Sequence, residues 1–258
     1  MNQLLIIDAL NLVRRMHATQ PDSADMTALS LRITSAINKL INYHNPSHLV
    51  LVWDGDKESW RKQRYSEYKK GRKPMPDDLA AGLADLKKEL ASRHWYNLDA
   101  ESEADDVIAT LATKLVNSGG KAIIVSTDNG FSQLINPNIV QWDHFAQQFV
   151  DIAAMEQKLG VERTQFLEYW ALAGSSGNKI PGITGIGPKS AAQLLQMFRS
   201  LSNIYLSLNE LGEKQANKLA EGKDMARLSY KLAQLVTDMP LDVRLSEFRL
   251  ANKAPKKE

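Results

Sequence analysis

The 258-residue sequence contains no cysteine, which removes disulfides, zinc–thiolate centres and thiol nucleophiles together and is compatible with a reducing compartment. It also lacks any apolar run long enough to cross a bilayer. The amino-terminal Leu4-Leu5-Ile6-Ile7 ends at Asp8, is too short for the apolar region of a signal peptide and has no preceding positive charge. Nor does one sign of charge prevail: 32 basic and 30 acidic residues leave a net charge of +2, so bulk charge alone does not announce a nucleic-acid partner. Internal repeats and low-complexity tracts are absent as well. What remains is an ordinary folded composition, 43% hydrophobic and 24% charged, long enough for one large domain or two smaller ones. Such a chain is expected in the cytoplasm, with no membrane association and no required protein partner.

Three short apolar runs end in aspartate: residues 4–7 at Asp8, 49–53 at Asp54-Gly55, and 122–125 at Ser126-Thr127-Asp128. Each reads as a buried parallel strand. Between them, Leu29, Ile33, Ile37, Leu40 and Ile41 recur at helical spacing over 26–43, and Pro76-Asp77-Asp78 opens a second helical stretch through Leu79, Leu83, Leu86 and Leu90. Ser102 and Asp105 resemble a capping box for a third helix, which Gly119-Gly120 stops. Past about residue 151 the strand signals fade, and the chain reads as helices over 153–159, 163–173, 188–198, 210–220 and 224–235. The expected fold class is therefore α/β: a central, mostly parallel sheet flanked by helices over 1–160, a helical part over 161–250, and a basic tail over 251–258.

In open α/β sheets, ligands bind beyond the carboxyl ends of the strands, so Asp8, Asp54 and Asp128 are predicted to converge on one rim. Glu103, Asp105 and Asp106, at the start of a helix, would join them. Taken singly, Asp8 and Asp54-Gly55 also suit turns, and the other three suit a helix's positive end. Taken together they crowd like charges, which repel unless a cation or protons compensate. Hard oxygen donors without His or Cys favour Mg²⁺ or Mn²⁺ over zinc, with Mg²⁺ the default.

Two further segments carry chemistry. From Arg61 to Lys73 the cations Arg61, Lys62, Arg64, Lys69, Lys70, Arg72 and Lys73 face the single acid Glu67 and interleave Tyr65 and Tyr68, a composition suited either to phosphates and unstacked bases or to a solvated face. Gly185-Ile186-Gly187 precedes a helix start at Pro188, so backbone amides and the helix's positive end can meet a phosphate, with Lys189 adjacent.

On these motifs the chain resembles the bacterial 5′-nuclease, or flap endonuclease, family almost end to end. The carriers are Ile7-Asp8-Ala9-Leu10-Asn11, Trp53-Asp54, Tyr68-Lys69 through Arg72-Lys73-Pro74-Met75-Pro76, Glu103-Ala104-Asp105-Asp106, Ser126-Thr127-Asp128 and Ile180 through Ala191. The resemblance implies an arch above the active site and a helix-hairpin-helix type element that binds duplex DNA together with K⁺. It places Tyr68, Lys69 and Arg72 at the arch base, Tyr68 for stacking and Lys69 for positioning the scissile phosphate. Lys69, Arg72 and the metal-associated Asp105 become the catalytic candidates. Duplex phosphates fall to Gly185, Ile186, Gly187, Pro188, Lys189 and Ser190, and K⁺ to the main-chain carbonyls of Leu172, Ala173, Pro181, Ile183 and Ile186.

The chain departs from the family where acids of a second metal site usually stand: here Gly130, Ser175 and Asn178 are neutral. The expected activity is Mg²⁺-dependent hydrolysis of DNA at 5′ flaps and single-strand/duplex junctions, with the second metal site weak or held by substrate. The alternative is a catalytically weak or inactive junction binder of the same fold. An RNA-directed nuclease of the related PIN type would explain the carboxylates but not the glycine turn.

Overall fold

The structure, a computed structural model, describes residues 2–20 and 25–250; the expected tail over 251–258 lies outside them. Strand β1 (Gln3–Asp8) is buried from its second residue to its last, and β2 (His48–Trp53) throughout, as continuous apolar runs require when both sheet faces are covered. With β3 (Tyr96–Asp99), β4 (Lys121–Val125), β5 (Ile139–Asp143) and β6 (Gln148–Phe149) they form a six-stranded sheet in the order β3-β2-β1-β4-β5-β6. All neighbours pair parallel except β5 and β6, which are antiparallel. The order reverses direction between β1 and β4, which makes their carboxyl ends the topological switch point of the sheet.

The helices in chain order are α1 (Ala9–Ala18), α2 (Met26–His44), α3 (Trp60–Arg64), α4 (Asp77–Ser92), α5 (Ala104–Asn117), α6 (Ile152–Leu159), α7 (Phe166–Ala173), α8 (Pro188–Phe198), α9 (Leu201–Leu206), α10 (Glu213–Glu221) and α11 (Lys223–Ala233). The alternate strand residues Leu5, Ile7, Leu49, Leu51, Ile123 and Val125 share one core with α1, α2 and α4. Helix α5 packs against β1, β2 and β4 and buries Val107, Ile108 and Leu111. The α/β architecture expected from the strand runs is thus present, with a mostly parallel sheet and flanking helices. Strands β3, β5 and β6 and helices α1, α3 and α9 had no stated expectation. The stretch expected as a helix over 163–173 opens instead with a 3₁₀ turn, Arg163–Gln165, before α7.

The chain divides into two compact units. The first comprises Met1–Lys57, Lys73–Val150 and Val236–Glu258, and holds the sheet. The second comprises Glu58–Arg72 and Asp151–Leu235. In the second unit α7, α8 and α11 pack around Phe166, Leu172, Leu195 and Leu219, none of them reached by solvent. Truncating Phe166 to alanine there would cost about 3–5 kcal/mol. The same unit buries a charge: Arg61 is 1% exposed, its Nε donates to the Leu232 carbonyl (2.9 Å) and its Nη2 to the Gln234 carbonyl (2.7 Å). The guanidinium also lies 4.6 Å from the Trp60 ring centroid. The basic segment is therefore rooted through one of its own cations, and Arg61, read from sequence as facing either phosphate or solvent, is instead an anchor. Among the described residues no helix is long and apolar enough to cross a membrane.

Candidate metal rim and nucleic-acid interface

Asp8 ends β1 and caps α1, its Oδ1 accepting the Asn11 backbone N–H at 3.3 Å. Across the switch point, Ser126 after β4 donates its hydroxyl to Asp8 Oδ2 at 2.7 Å and accepts the Asp128 backbone N–H at 3.1 Å. Asn11 completes the tie by accepting the backbone and side-chain donors of Thr127 at 3.2 and 3.1 Å. Underneath, Gln141 of β5 is 1% exposed and its amide donates to the carbonyls of Ser126 (2.8 Å) and Asp128 (2.9 Å). The ends of β1 and β4 are thereby stitched so that Asp8 and Asp128 stand together. Asn11, Ser126, Thr127 and Gln141 had no assigned role in the sequence reading, because single neutral side chains carry no pattern of their own.

Asp54 follows β2 and its Oδ1 accepts the Ala104 backbone N–H at 2.8 Å. It, and not the Ser102–Asp105 pair expected from sequence, caps α5; Glu103 holds the N-cap position without a side-chain cap bond. Asp105 lies in the first turn of that helix, half-buried. Asp106 is buried and its Oδ1 accepts the Val236 backbone N–H at 2.9 Å, clasping the returning chain to α5 within the first unit.

Asp8 carries the electrostatic signature of this rim. Burial drives its carboxyl well above the ordinary aspartate range, and the nearby charges of Asp105 and Asp54 push it the same way. The hydrogen bonds from Ser126 and Asn11 oppose that rise without cancelling it. Asp8 thus feels Asp105 and Asp54 directly, and Ser126 ties it to the Asp128 backbone, whose carboxylate accepts the Gly130 N–H at 2.7 Å. Among the described residues, however, no three His, Asp or Glu side chains are grouped closely enough to hold a metal ion as they stand.

The second unit holds the basic segment and the glycine turn. Tyr68, expected to stack on a base, is instead 4% exposed and packs against Ile180 and Leu232, so its ring is a structural plug. Lys69 Nζ lies 5.2 Å from the centroid of that ring. Arg72 is exposed and its Nη2 donates to Asn178 Oδ1 at 2.5 Å. In the turn, a Cβ at Gly174 would sit 2.5 Å from the Ile180 carbonyl and 2.8 Å from that of Pro181, and one at Gly182 2.7 Å from that of Leu172, so both bare backbones are needed where carbonyls crowd. The carbonyls of Leu172 and Ile183 already accept the N–H groups of Ile183 (2.8 Å) and Ile186 (3.0 Å). Gly187 caps α8 with Pro188 at the first position, and the space where its Cβ would be is open. Gly187, Pro188 and Lys189 are exposed and Ser190 is half-buried, whereas the Ile186 side chain is buried and offers only its backbone. Lys218 of α10 reaches the Gly185 carbonyl at 3.3 Å, a cation at the turn that the sequence did not single out.

Two family models cover the chain: the 5′-3′ exonuclease N-terminal resolvase-like domain over residues 3–160, and the 5′-3′ exonuclease C-terminal SAM fold over residues 161–256. The chain belongs to the 5′-3′ exonuclease family. Within that family it is 64% identical to the flap endonuclease Xni of Shewanella woodyi, over 97% of this chain and 99% of that one. It is equally identical to the flap endonuclease Xni of Shewanella putrefaciens, over 99% and 97%. Solved structures share the fold at lower identity. The zinc-bound T5 5′-exonuclease superposes with a TM-score of 0.76 at 22% identity, covering 92% of this chain and 90% of that one. The Rad2 catalytic core in complex with DNA substrate gives 0.59 at 17%, covering 98% and 83%. The neutral Gly130, Ser175 and Asn178 are consequently a feature of a 5′-3′ exonuclease family chain.

Proposed function

We propose that the protein is a Mg²⁺-dependent 5′-flap endonuclease, acting in the cytoplasm on DNA at single-strand/duplex junctions. The observation that carries this reading is the gathering of Asp8, Asp54, Asp105 and Asp128 about the carboxyl ends of β1, β2 and β4. The donor set suits a hard divalent cation: every candidate is a carboxylate, and Asp8 is held where its charge is opposed by burial and by its neighbours. Bound there, Mg²⁺ would polarise the scissile phosphate and lower the pKa of the attacking water. Asp8, Asp54, Asp105 and Asp128 would hold it, with Glu103 and Asp106 contributing directly or through water. Ser126, Asn11 and Gln141 keep the carboxylates in place, so less reorganisation is left to the reaction.

Lys69 and Arg72 neutralise the phosphate backbone near the junction, and the exposed amide ends at Gly187 and Pro188, with Lys189, Ser190 and the backbones of Gly185 and Ile186, grip duplex phosphates. K⁺ suits the turn because the carbonyls of Leu172 and Pro181 crowd the two bare glycines, and those of Ala173, Ile183 and Ile186 would complete its ligand set; an oxygen already accepting one N–H keeps a second lone pair. A specific observation favours a second reading, a junction binder with weak turnover: Asn178, one of the three neutral positions, already commits its side chain to Arg72.

The deciding experiment is cleavage of a 5′-flap DNA in Mg²⁺ by the protein and by Asp105→Ala. Loss of cleavage with flap binding retained is expected, equal cleavage by both would remove the rim from the mechanism, and binding without turnover by the parent protein would establish the second reading.

A further inference from the structure

The chain from Ser175 to Ile180 closes as a small hairpin in the second unit. Ser175 and Ile180 exchange both backbone hydrogen bonds at 2.9 Å, and Lys179 takes a left-handed conformation at φ 55° to complete the turn. Asn178, at the tip, meets the basic segment twice. Its main-chain carbonyl accepts the Lys69 N–H at 2.9 Å, and its side-chain Oδ1 accepts Arg72 Nη2 at 2.5 Å. Lys69 itself sits at φ 53°, a conformation that a side chain bearing Cβ adopts only where its surroundings over-determine it. Those surroundings are visible. Tyr68 is plugged against Ile180 at the hairpin's end, Tyr68 and Lys70 donate to the carbonyls of Tyr65 and Glu67, and the Lys69 N–H is taken by Asn178.

We infer that Asn178 is a positioning residue: it clamps the basic segment to the 175–180 hairpin and so sets the directions of Lys69 and Arg72. The inference rests on the reading of those two cations as phosphate contacts. The amide is chemically suited to the task because it orders a guanidinium without cancelling its charge. A carboxylate in the same place would accept the same hydrogen bond but form an ion pair, withdrawing Arg72 from a phosphate; an alanine would keep the charge and lose the order. Order and charge are therefore separable by two substitutions at one position.

Order is read without DNA, from the initial rate of trypsin cleavage after Lys69, Lys70 and Arg72. Asn178→Ala should speed it about tenfold, as expected for loss of one hydrogen bond to a charged group, while Asn178→Asp should stay within about twofold of the parent. Charge is read from the salt dependence of flap-DNA binding in EDTA, where Asn178→Asp should lower the slope by about one and Asn178→Ala should leave it unchanged. In Mg²⁺, Asn178→Ala should lower kcat/KM for flap cleavage about tenfold in the parent but no more than about twofold in an Arg72→Ala background. Asn178→Ser, which keeps a short polar side chain, guards against misfolding and should resemble Asn178→Ala in trypsin sensitivity. Unchanged trypsin rates in the alanine and serine variants, or equal losses of kcat/KM in both backgrounds, would overturn the inference. If Arg72→Ala itself cleaves like the parent, the phosphate role of Arg72 falls, and the trypsin rates still decide the clamp.

Discussion

The carboxylate rim of the first unit and the basic segment of the second are both held by neutral polar side chains, yet the two are in opposite electrostatic condition. At the rim, Ser126 and Asn11 hold Asp8 among charges of its own sign, so the local structure is maintained against repulsion. At the segment, Arg61 meets carbonyls and an aromatic face, and Asn178 meets Arg72, so each fixed cation has found acceptors within its own unit. If the rim takes the proposed cation, it is built with strain that the cation would relieve. If the segment meets phosphate as proposed, it is built relaxed, its directions set beforehand.

The sharpest way to break this contrast is Asp8→Asn. Flap cleavage in Mg²⁺ should fall about a thousandfold, the loss of several kcal/mol of transition-state stabilisation. The metal-free protein should nevertheless melt at a higher temperature than the parent. The sign follows from the raised carboxyl: an aspartate that binds its proton more tightly folded than unfolded stabilises the protein fully below the ordinary value of 3.8, and that stability is lost as pH rises through the folded value. In EDTA the melting advantage of Asp8→Asn over the parent should accordingly grow as pH rises above about 4. A difference that does not grow over that range would mean that Asp8 is not opposed by its neighbours.

Next in size is Arg61→Ala, which leaves the Leu232 and Gln234 carbonyls without their charged donor. Chemical denaturation should report a loss of about 3 kcal/mol, in the range for hydrogen bonds to charged groups. A loss below about 0.5 kcal/mol would return Arg61 to the class of solvated surface charges. The smallest expected effect is that of Lys189→Ala, an exposed residue in the first turn of α8. Duplex affinity should weaken severalfold, and the salt slope of binding should fall by about one. An unchanged slope would take Lys189 off the list of phosphate contacts.

These differences also explain what could be read from the chain. Strands β1, β2 and β4 were legible because burial on both faces demands unbroken apolar runs, and their terminal aspartates stand out at once. Strand β3 reads Tyr-Asn-Leu-Asp and is only partly buried, and β6 has two exposed residues, so neither carries that signal. Asp8, Asp54 and Asp105, whose charges act together, were singled out because crowded like charge is rare without a purpose. The groups that hold them could not: Gln141 is an ordinary glutamine until its amide is seen bridging two carbonyls, and Asp54 is a turn aspartate until it is seen starting α5 from another segment. Composition was misleading for Tyr68 and Arg61, since a basic, tyrosine-bearing run does not say which members face inward.

Because one oxygen of Asp54 is engaged by the Ala104 amide, any ion drawn to the other oxygen withdraws electron density from that bond. The first peptide of α5 is therefore a built-in reporter of the proposed metal site: its amide resonance and hydrogen-exchange rate would register a bound ion without any substrate present.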